Sequence, residues 1–164
     1  MPHEDPVSVD AVTFRRVLGE VPTAVSVVTV IDETGRDQGM TVGTFTSLSL
    51  EPPLVLICVG DDATIAPAMA TATHFGLSVL DASQQQLSVL FSDRERRGFD
   101  GIASVRGPQG TLLLTGSVAR LECRIVARHS GGDHTIVVGH VELAESSGGA
   151  PLLHRRGGYQ RLGP

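Results

Sequence analysis

The chain has no lysine; all 13 of its basic residues are arginines. That absence excludes a Walker A lysine and every mechanism that runs through a lysine Schiff base. Cysteine is nearly as scarce. Cys58 and Cys123 stand alone in apolar runs with no CxxC pairing, which reads as two reduced core thiols, with a disulfide or a nucleophilic cysteine as the alternatives. Positive charge is not in excess: a formal net charge of −5 gives no general attraction to nucleic acid or to an anionic membrane. No apolar run approaches the ~20 residues a membrane span requires. The acidic segment 1–6 carries neither the basic nor the apolar region of a signal peptide. The expectation is a cytoplasmic protein without nucleic-acid or membrane partners, in which an anionic ligand is held by local donors.

Several site motifs are also missing. No GxGxxG follows a strand, since Gly35, Gly39 and Gly43 are spaced by four, and HExxH and GxSxG do not occur. His134 and His140 share parity on one strand, but six residues at ~3.3 Å each separate them by about 20 Å, too far to ligate one metal. His129 and His134 flank a turn without an evident third ligand. No metal site is expected.

What is present is a chain of 164 residues, 41% hydrophobic and 19% charged, long enough to bury roughly 70% of its unfolded surface in one core. Residues 1–12 are expected to form a tail running into a first helix, and 13–164 one domain. Asp10 is placed to cap that helix, with Val12, Val17 and Leu18 on its apolar face. The β-branched run Thr23–Ile31 and the stretch Met40–Leu50, joined by the turn residues Asp32–Arg36, predict a hairpin. After Pro52-Pro53, the continuous apolar run Leu54–Val59 predicts a strand buried on both faces. A short helix is expected over Thr64–Thr73, with Pro67 in its first turn. A strand follows over Phe75–Leu80, then a helix capped by Ser83 and running to about Phe91. Two long strands, Leu112–Arg128 and His134–Ala144, and a short one near Tyr159–Leu162 complete the pattern. Many strands with few short helices imply a closed antiparallel barrel, mainly β, with helices at its ends.

One segment resists a bland reading. Thr41, Thr44, Thr46, Ser47 and Ser49 place five hydroxyls within nine residues, interrupted by Gly43 and followed by Pro52-Pro53. An edge strand with a polar outer face explains alternating hydroxyls, but not the adjacent Thr46-Ser47 or the glycine. Glycine lets a flat ligand approach the backbone, and hydroxyls with free N–H groups at an irregular strand end suit phosphate.

This segment closely resembles the GMT-x(5)-TS-x-S-x-x-PP block of the flavin reductase-like family, the short-chain reductases of two-component flavin monooxygenases. The resemblance runs from about Phe14 to Leu162. It includes Pro22–Thr29, Phe75–Leu80, Leu121-Glu122-Cys123, Gly132-Asp133-His134, Pro151–Leu153 and Gly158-Tyr159. It implies an FMN-binding split β-barrel, a homodimer, with FMN or FAD in a groove near the subunit interface. It also implies NADH or NADPH as co-substrate and a flavin-dependent monooxygenase as recipient of reduced flavin. Carried over by position, Thr29 and Met40, Thr41, Val42, Gly43 and Thr44 flank the isoalloxazine. Thr46, Ser47, Leu48 and Ser49 hold the ribityl-phosphate end, with Cys58 and Val59 on the neighbouring strand. Thr64 and the arginines of Asp93–Arg97, Arg97 among them, are phosphate partners. Where relatives often carry Ala-Asn, this chain has Val42-Gly43, so ring hydrogen bonding there must come from backbone.

Hydride transfer needs the nicotinamide C4 stacked over flavin N5 at ~3–3.5 Å, a geometry the protein must hold. His134 is the candidate catalytic residue on the nicotinamide side, where a neutral imidazole can donate one hydrogen bond. Tyr159, the only tyrosine, packs against the same pocket or serves as a core aromatic. The competing readings are a flavin carrier without reductase activity and a split barrel for another cofactor, a deazaflavin or haem.

Overall fold

The computed structural model describes residues 8–94 and 98–162. Asp10 accepts the backbone N–H groups of Val12 (3.0 Å) and Thr13 (2.9 Å) and caps α1 (Ala11–Leu18). The apolar face of α1 exists but is not packed into the core among the described residues: Val12, Phe14, Val17 and Leu18 are all exposed.

Next come β1 (Thr23–Ala24), β2 (Ser26–Ile31) and β3 (Asp37–Val42), the last two forming the expected hairpin with Thr29 opposite Gly39. Its turn is set by Asp32, whose Oδ1 accepts the Thr34 hydroxyl (2.6 Å), the Thr34 N–H (2.9 Å) and the Arg36 N–H (3.0 Å). Led by the Thr34 hydroxyl, these bonds hold the Asp32 carboxyl well below the usual carboxylate range. The stretch Met40–Leu50 is not one strand. β3 ends at Val42, and β4 (Thr46–Ser49) pairs instead with β5 (Leu54–Gly60).

The chain continues through α2 (Ala66–Thr71), with Pro67 in its first turn, and β6 (His74–Val79). A 3-10 turn over Ala82–Gln84 leads into α3 (Gln85–Ser92). Asp81, rather than Ser83, caps that turn; it takes the Ser83 N–H at 2.9 Å, while Gln84 returns a bond to the Asp81 N–H. β7 (Ser104–Arg106) pairs with β8 (Leu112–Leu114), which Gly116, at φ +81°, separates from β9 (Ala119–Ser130). The expected single strand Leu112–Arg128 is therefore two. β10 (His134–Ser146) follows, and the chain closes with the hairpin β11 (Leu153–Arg155) and β12 (Gly158–Gln160), not a lone strand at 159–162.

The main sheet has seven strands in the order β3-β2-β6-β9-β10-β5-β4, every neighbouring pair antiparallel. Its two end strands, β3 and β4, are consecutive in the chain and joined only by 43–45. The sheet therefore curls round on itself as a split barrel, and Thr44 bridges the gap. Its hydroxyl donates to the Cys58 carbonyl (2.9 Å) and accepts the Cys58 N–H (3.1 Å).

Val28, Val30, Val55, Ile57, Phe75, Leu77 and Val137 form the principal core, against which α2 sets Ala68 and Met69. A second cluster of Val25, Val27, Leu80, Phe91, Leu114 and Leu152 lies under α3 and the C-terminal hairpin. Hence β2, not β5, is the strand buried on both faces. On β5, Val55, Ile57 and Val59 are buried while Leu54, Leu56 and Cys58 are half-buried, so that outer face is only partly covered by the described residues. Glu122 of β9 is fully buried and fastens the 107–111 loop, its carboxylate accepting the N–H groups of Gln109 (2.8 Å) and Thr111 (3.0 Å) and the Thr111 hydroxyl (2.6 Å).

Candidate functional site at the barrel seam

The seam opens onto a groove of about 600 Å³. Met40–Thr44 forms one wall; Cys58, Gly60 and the following Asp61, Asp62 and Ala63 form the other; Arg94, Asp133 and His134 border its rim. Two smaller hollows share Met40–Gly43 residues with it. One, about 230 Å³, reaches Thr64 and Ser92; the other, about 180 Å³, reaches Ser88, His154 and Tyr159. The fold thus brings together Met40, Thr41, Val42, Gly43, Thr44, Cys58 and His134, with Thr64 and Tyr159 in the adjoining hollows.

Other expected site residues lie elsewhere. Thr29 is 1% exposed, and its hydroxyl donates to the Leu112 carbonyl at 2.6 Å; as a residue of the doubly covered β2 it turns inward, so its side chain does not flank the groove. Val59 is likewise a core residue, bordering a separate cavity of about 330 Å³ between α2 and the β9–β10 strands. Thr46, Ser47 and Leu48 are exposed and Ser49 half-buried on β4, past the groove rather than in its walls. Arg97 falls outside the described residues.

The hydroxyl cluster divides into two kinds. Thr41 donates to the Ser88 carbonyl at 2.7 Å, and Thr44 is engaged by Cys58. These two hydroxyls fix the groove wall. Thr46 donates to the neighbouring Ser47 carbonyl at 3.4 Å, and Ser47 and Ser49 stand on β4 outside the groove walls. Ser88 also meets the Tyr159 hydroxyl (2.9 Å), so Tyr159 is tied to α3 and, through it, to β3. Nothing in the sequence flags Ser88, which sits mid-helix.

The rim is rich in carboxylates that sequence reasoning missed. Both terminal nitrogens of Arg94 donate to Asp62 Oδ2 at 3.0 Å. Thr135 donates to Asp61 at 3.0 Å, and His134 Nδ1 lies 2.7 Å from Asp133 Oδ1. That bond, before any other cause, holds the Asp133 carboxyl below its usual range. A signal was there: Asp61-Asp62 directly follows the apolar run of β5, where the chain must leave the sheet. The two cysteines differ. Burial pushes the Cys123 thiol up to about 12, whereas Cys58 is half-buried in the groove wall.

The arrangement is a glycine-lined slot with an edge strand on one side. β3 is terminal in the sheet, so the edge not paired with β2 offers backbone N–H and C=O groups to the groove. Gly43 and Gly60 each interrupt the side chains of one wall, and a Cβ on Gly43 would lie 3.2 Å from the Thr23 hydroxyl oxygen. Such a slot suits a flat ring with polar edges.

Known proteins agree with this geometry. The chain is 42% identical over 150 residues to the FMN reductase (NADH) SmoA of Agrobacterium fabrum, covering 92% of this chain and 85% of that one. It is 37% identical over 158 residues to HsaB of Rhodococcus jostii, the reductase subunit of a flavin-dependent monooxygenase, covering 96% and 80%. Among solved structures, the NADH:FAD oxidoreductase SgcE6 of Streptomyces globisporus, in complex with NAD and FAD fragments, superposes with a TM-score of 0.89 at 42% identity over 94% of each chain. Residues 18–163 match the model of the flavin reductase like domain, and the chain belongs to that family.

Proposed function

We propose that this protein is an NADH-dependent flavin reductase that hands reduced flavin to a partner monooxygenase. The observation that carries the reading is the glycine-lined groove at the barrel seam, built from the hydroxyl-rich segment itself. A flavin bound there supplies the hydride acceptor. The chain's own residues supply position and charge. The free edge of β3 would offer backbone donors to the polar edge of a bound ring, and donors fixed in this way would stabilise negative charge gained there without reorganisation. The Ser47 and Ser49 hydroxyls on β4 lie on the same chain segment, placed to take the phosphate end. His134 stands opposite Gly60 across β10 and β5, two positions along β5 from Cys58, and both border the groove where a nicotinamide would stack.

The rim favours NADH over NADPH. Asp61, Asp62 and Asp133 surround the entrance, and Arg94 already serves Asp62. A 2′-phosphate brought to this rim meets carboxylates. Two thiols without a disulfide suit a reducing, cytoplasmic setting.

A second copy of the chain fits the outer face of β5 and β10. There Leu54, Leu56 and Cys58 stand opposite His140, Val138 and Ile136, and the His140 Nδ1 is buried with no partner among the described residues. An isologous dimer would cover this face. The apolar strand Leu112–Leu114, by contrast, is buried within its own chain.

The test is NADH oxidation dependent on added FMN or FAD, combined with a fluorescence titration of Ser47→Asp. A lost phosphate contact plus repulsion, about 3 kcal/mol, should weaken FMN binding by about a hundredfold. Unchanged affinity removes β4 from the phosphate site. Absence of flavin-dependent NADH oxidation in the wild type removes the reductase reading.

A further inference from the structure

We propose that Asp133 is a positioning residue: by accepting the Nδ1–H of His134 it fixes the imidazole tautomer and presents Nε2 to the groove as a hydrogen-bond acceptor. The part of this concerning the dinucleotide rests on the nicotinamide lying at His134. It reverses the donor role that sequence alone suggests for this histidine.

The contact is short, 2.7 Å between His134 Nδ1 and Asp133 Oδ1. An ionised carboxylate can only accept, so the shared proton belongs to Nδ1. A neutral imidazole carries one N–H, which leaves Nε2 with its lone pair. An unrestrained histidine in water favours the opposite, Nε2–H, form, so the aspartate changes what the ring offers.

The backbone holds the pair in place from both sides. Gly131 N–H donates to the His134 carbonyl at 2.8 Å, and Asp61 N–H to the Asp133 carbonyl at 3.1 Å. Gly132, at φ +83°, permits the tight turn that precedes them. Opposite His134 in register stands Gly60, where a Cβ would lie 3.7 Å from Nε2 and 3.3 Å from Asp62 Oδ1. With glycine there, the Nε2 edge faces the groove without a side chain in front of it. An acceptor at this point complements the carboxamide N–H₂ of a nicotinamide or a ribose hydroxyl, both of which bring donors.

The experiment is a ¹⁵N–¹H correlation of the histidine side chains in the full chain, read with steady-state kinetics. Wild-type His134 is expected in the Nδ1–H form at neutral pH, and Asp133→Ala is expected to shift it toward Nε2–H. Asp133 is almost wholly exposed, 95% for its side chain, so the variant keeps the fold. The same variant should raise the KM for NADH by about 3- to 10-fold, the range of one net hydrogen bond, with kcat and FMN affinity changing by less than about twofold. An Nε2–H wild type overturns the positioning role. So does an Asp133→Ala variant with unchanged tautomer and unchanged KM. An Nδ1–H wild type together with a His134→Ala variant of normal NADH KM overturns the nicotinamide placement instead, which keeps the two failures apart.

Discussion

Replacing Glu122 by Gln isolates one buried carboxylate at constant volume. Glu122 has no exposed surface and takes three hydrogen bonds from the 107–111 loop. An amide offers one oxygen. Turned toward Thr111, that oxygen keeps two donors, and the amide nitrogen then points at the Gln109 N–H. A buried N–H without an acceptor costs about 1–3 kcal/mol, and two bonds that fall from charge-assisted to neutral lose about 1 kcal/mol each. Burying an amide instead of a charge offsets part of this, so Glu122→Gln should lose about 2–4 kcal/mol. At about 2–4 °C per kcal/mol for a chain of this size, the Tm should fall by roughly 10 °C. Urea unfolding and calorimetry measure both quantities. Because Thr111 supplies two of the three bonds, Thr111→Val should be much less costly in the Glu122→Gln variant than in the wild type, with a coupling of about 1 kcal/mol. None of these residues lines the groove, so the folded fraction should oxidise NADH normally. A loss below about 1 kcal/mol, or additive single and double variants, would refute the account of how the loop is held.

Three further outcomes follow from particular contacts. Gly139→Ala would place a Cβ 2.6 Å from the Phe75 ring and 2.8 Å from the Cys123 Cβ; overpacking of this kind should cost about 1–3 kcal/mol in a thermal or denaturant melt, and an unchanged melt would mean the ring yields freely. Burial first, then the charges of Glu122 and Glu142, raise the Cys123 thiol from 9.0 to about 12. The unfolded thiol therefore ionises while the folded one stays protonated. Its contribution is complete below pH 9 and lost between pH 9 and pH 12, and Cys123→Ala should flatten that part of the stability profile. Leu56→Arg, on the outer face of β5, should shift sedimentation from dimer to monomer; a dimer that persists places the subunit contact elsewhere.

Local chemistry was the legible part of this fold. The Asp10 cap, the Asp32 turn and Pro67 in the first turn of α2 each depend on neighbours within a few residues, and each is where the sequence puts it. The errors share a cause. Met40–Leu50 looks like one strand because its break at Gly43 comes from the sheet closing, which brings Cys58 to Thr44. β5 is uniformly apolar and looks doubly buried, but coverage depends on what the rest of the chain lays over it. Thr29 has the right neighbours for a ligand wall, yet both faces of β2 are covered, so its side chain is buried. At the site, the resemblance located the segment, while the destinations of its hydroxyls required the fold: Thr41 reaches Ser88, and Thr44 reaches Cys58. Asp133 could be read as a turn residue, and its bearing on His134 is a matter of side-chain direction.

The seam gives the groove a mechanical meaning. Thr44 fastens one end of the sheet to β5 and is also part of the wall a ligand would touch. Occupancy and closure then act on one equilibrium. A ligand lying across Met40–Thr44 and Cys58 favours the fastened state by RT ln(1 + [L]/Kd), and anything that loosens the Thr44 clasp weakens the ligand by the same factor. The amide proton of Cys58, shielded only while that clasp is shut, becomes a gauge of how full the groove is: its exchange with solvent should slow as flavin is added, well before the core strands register any change.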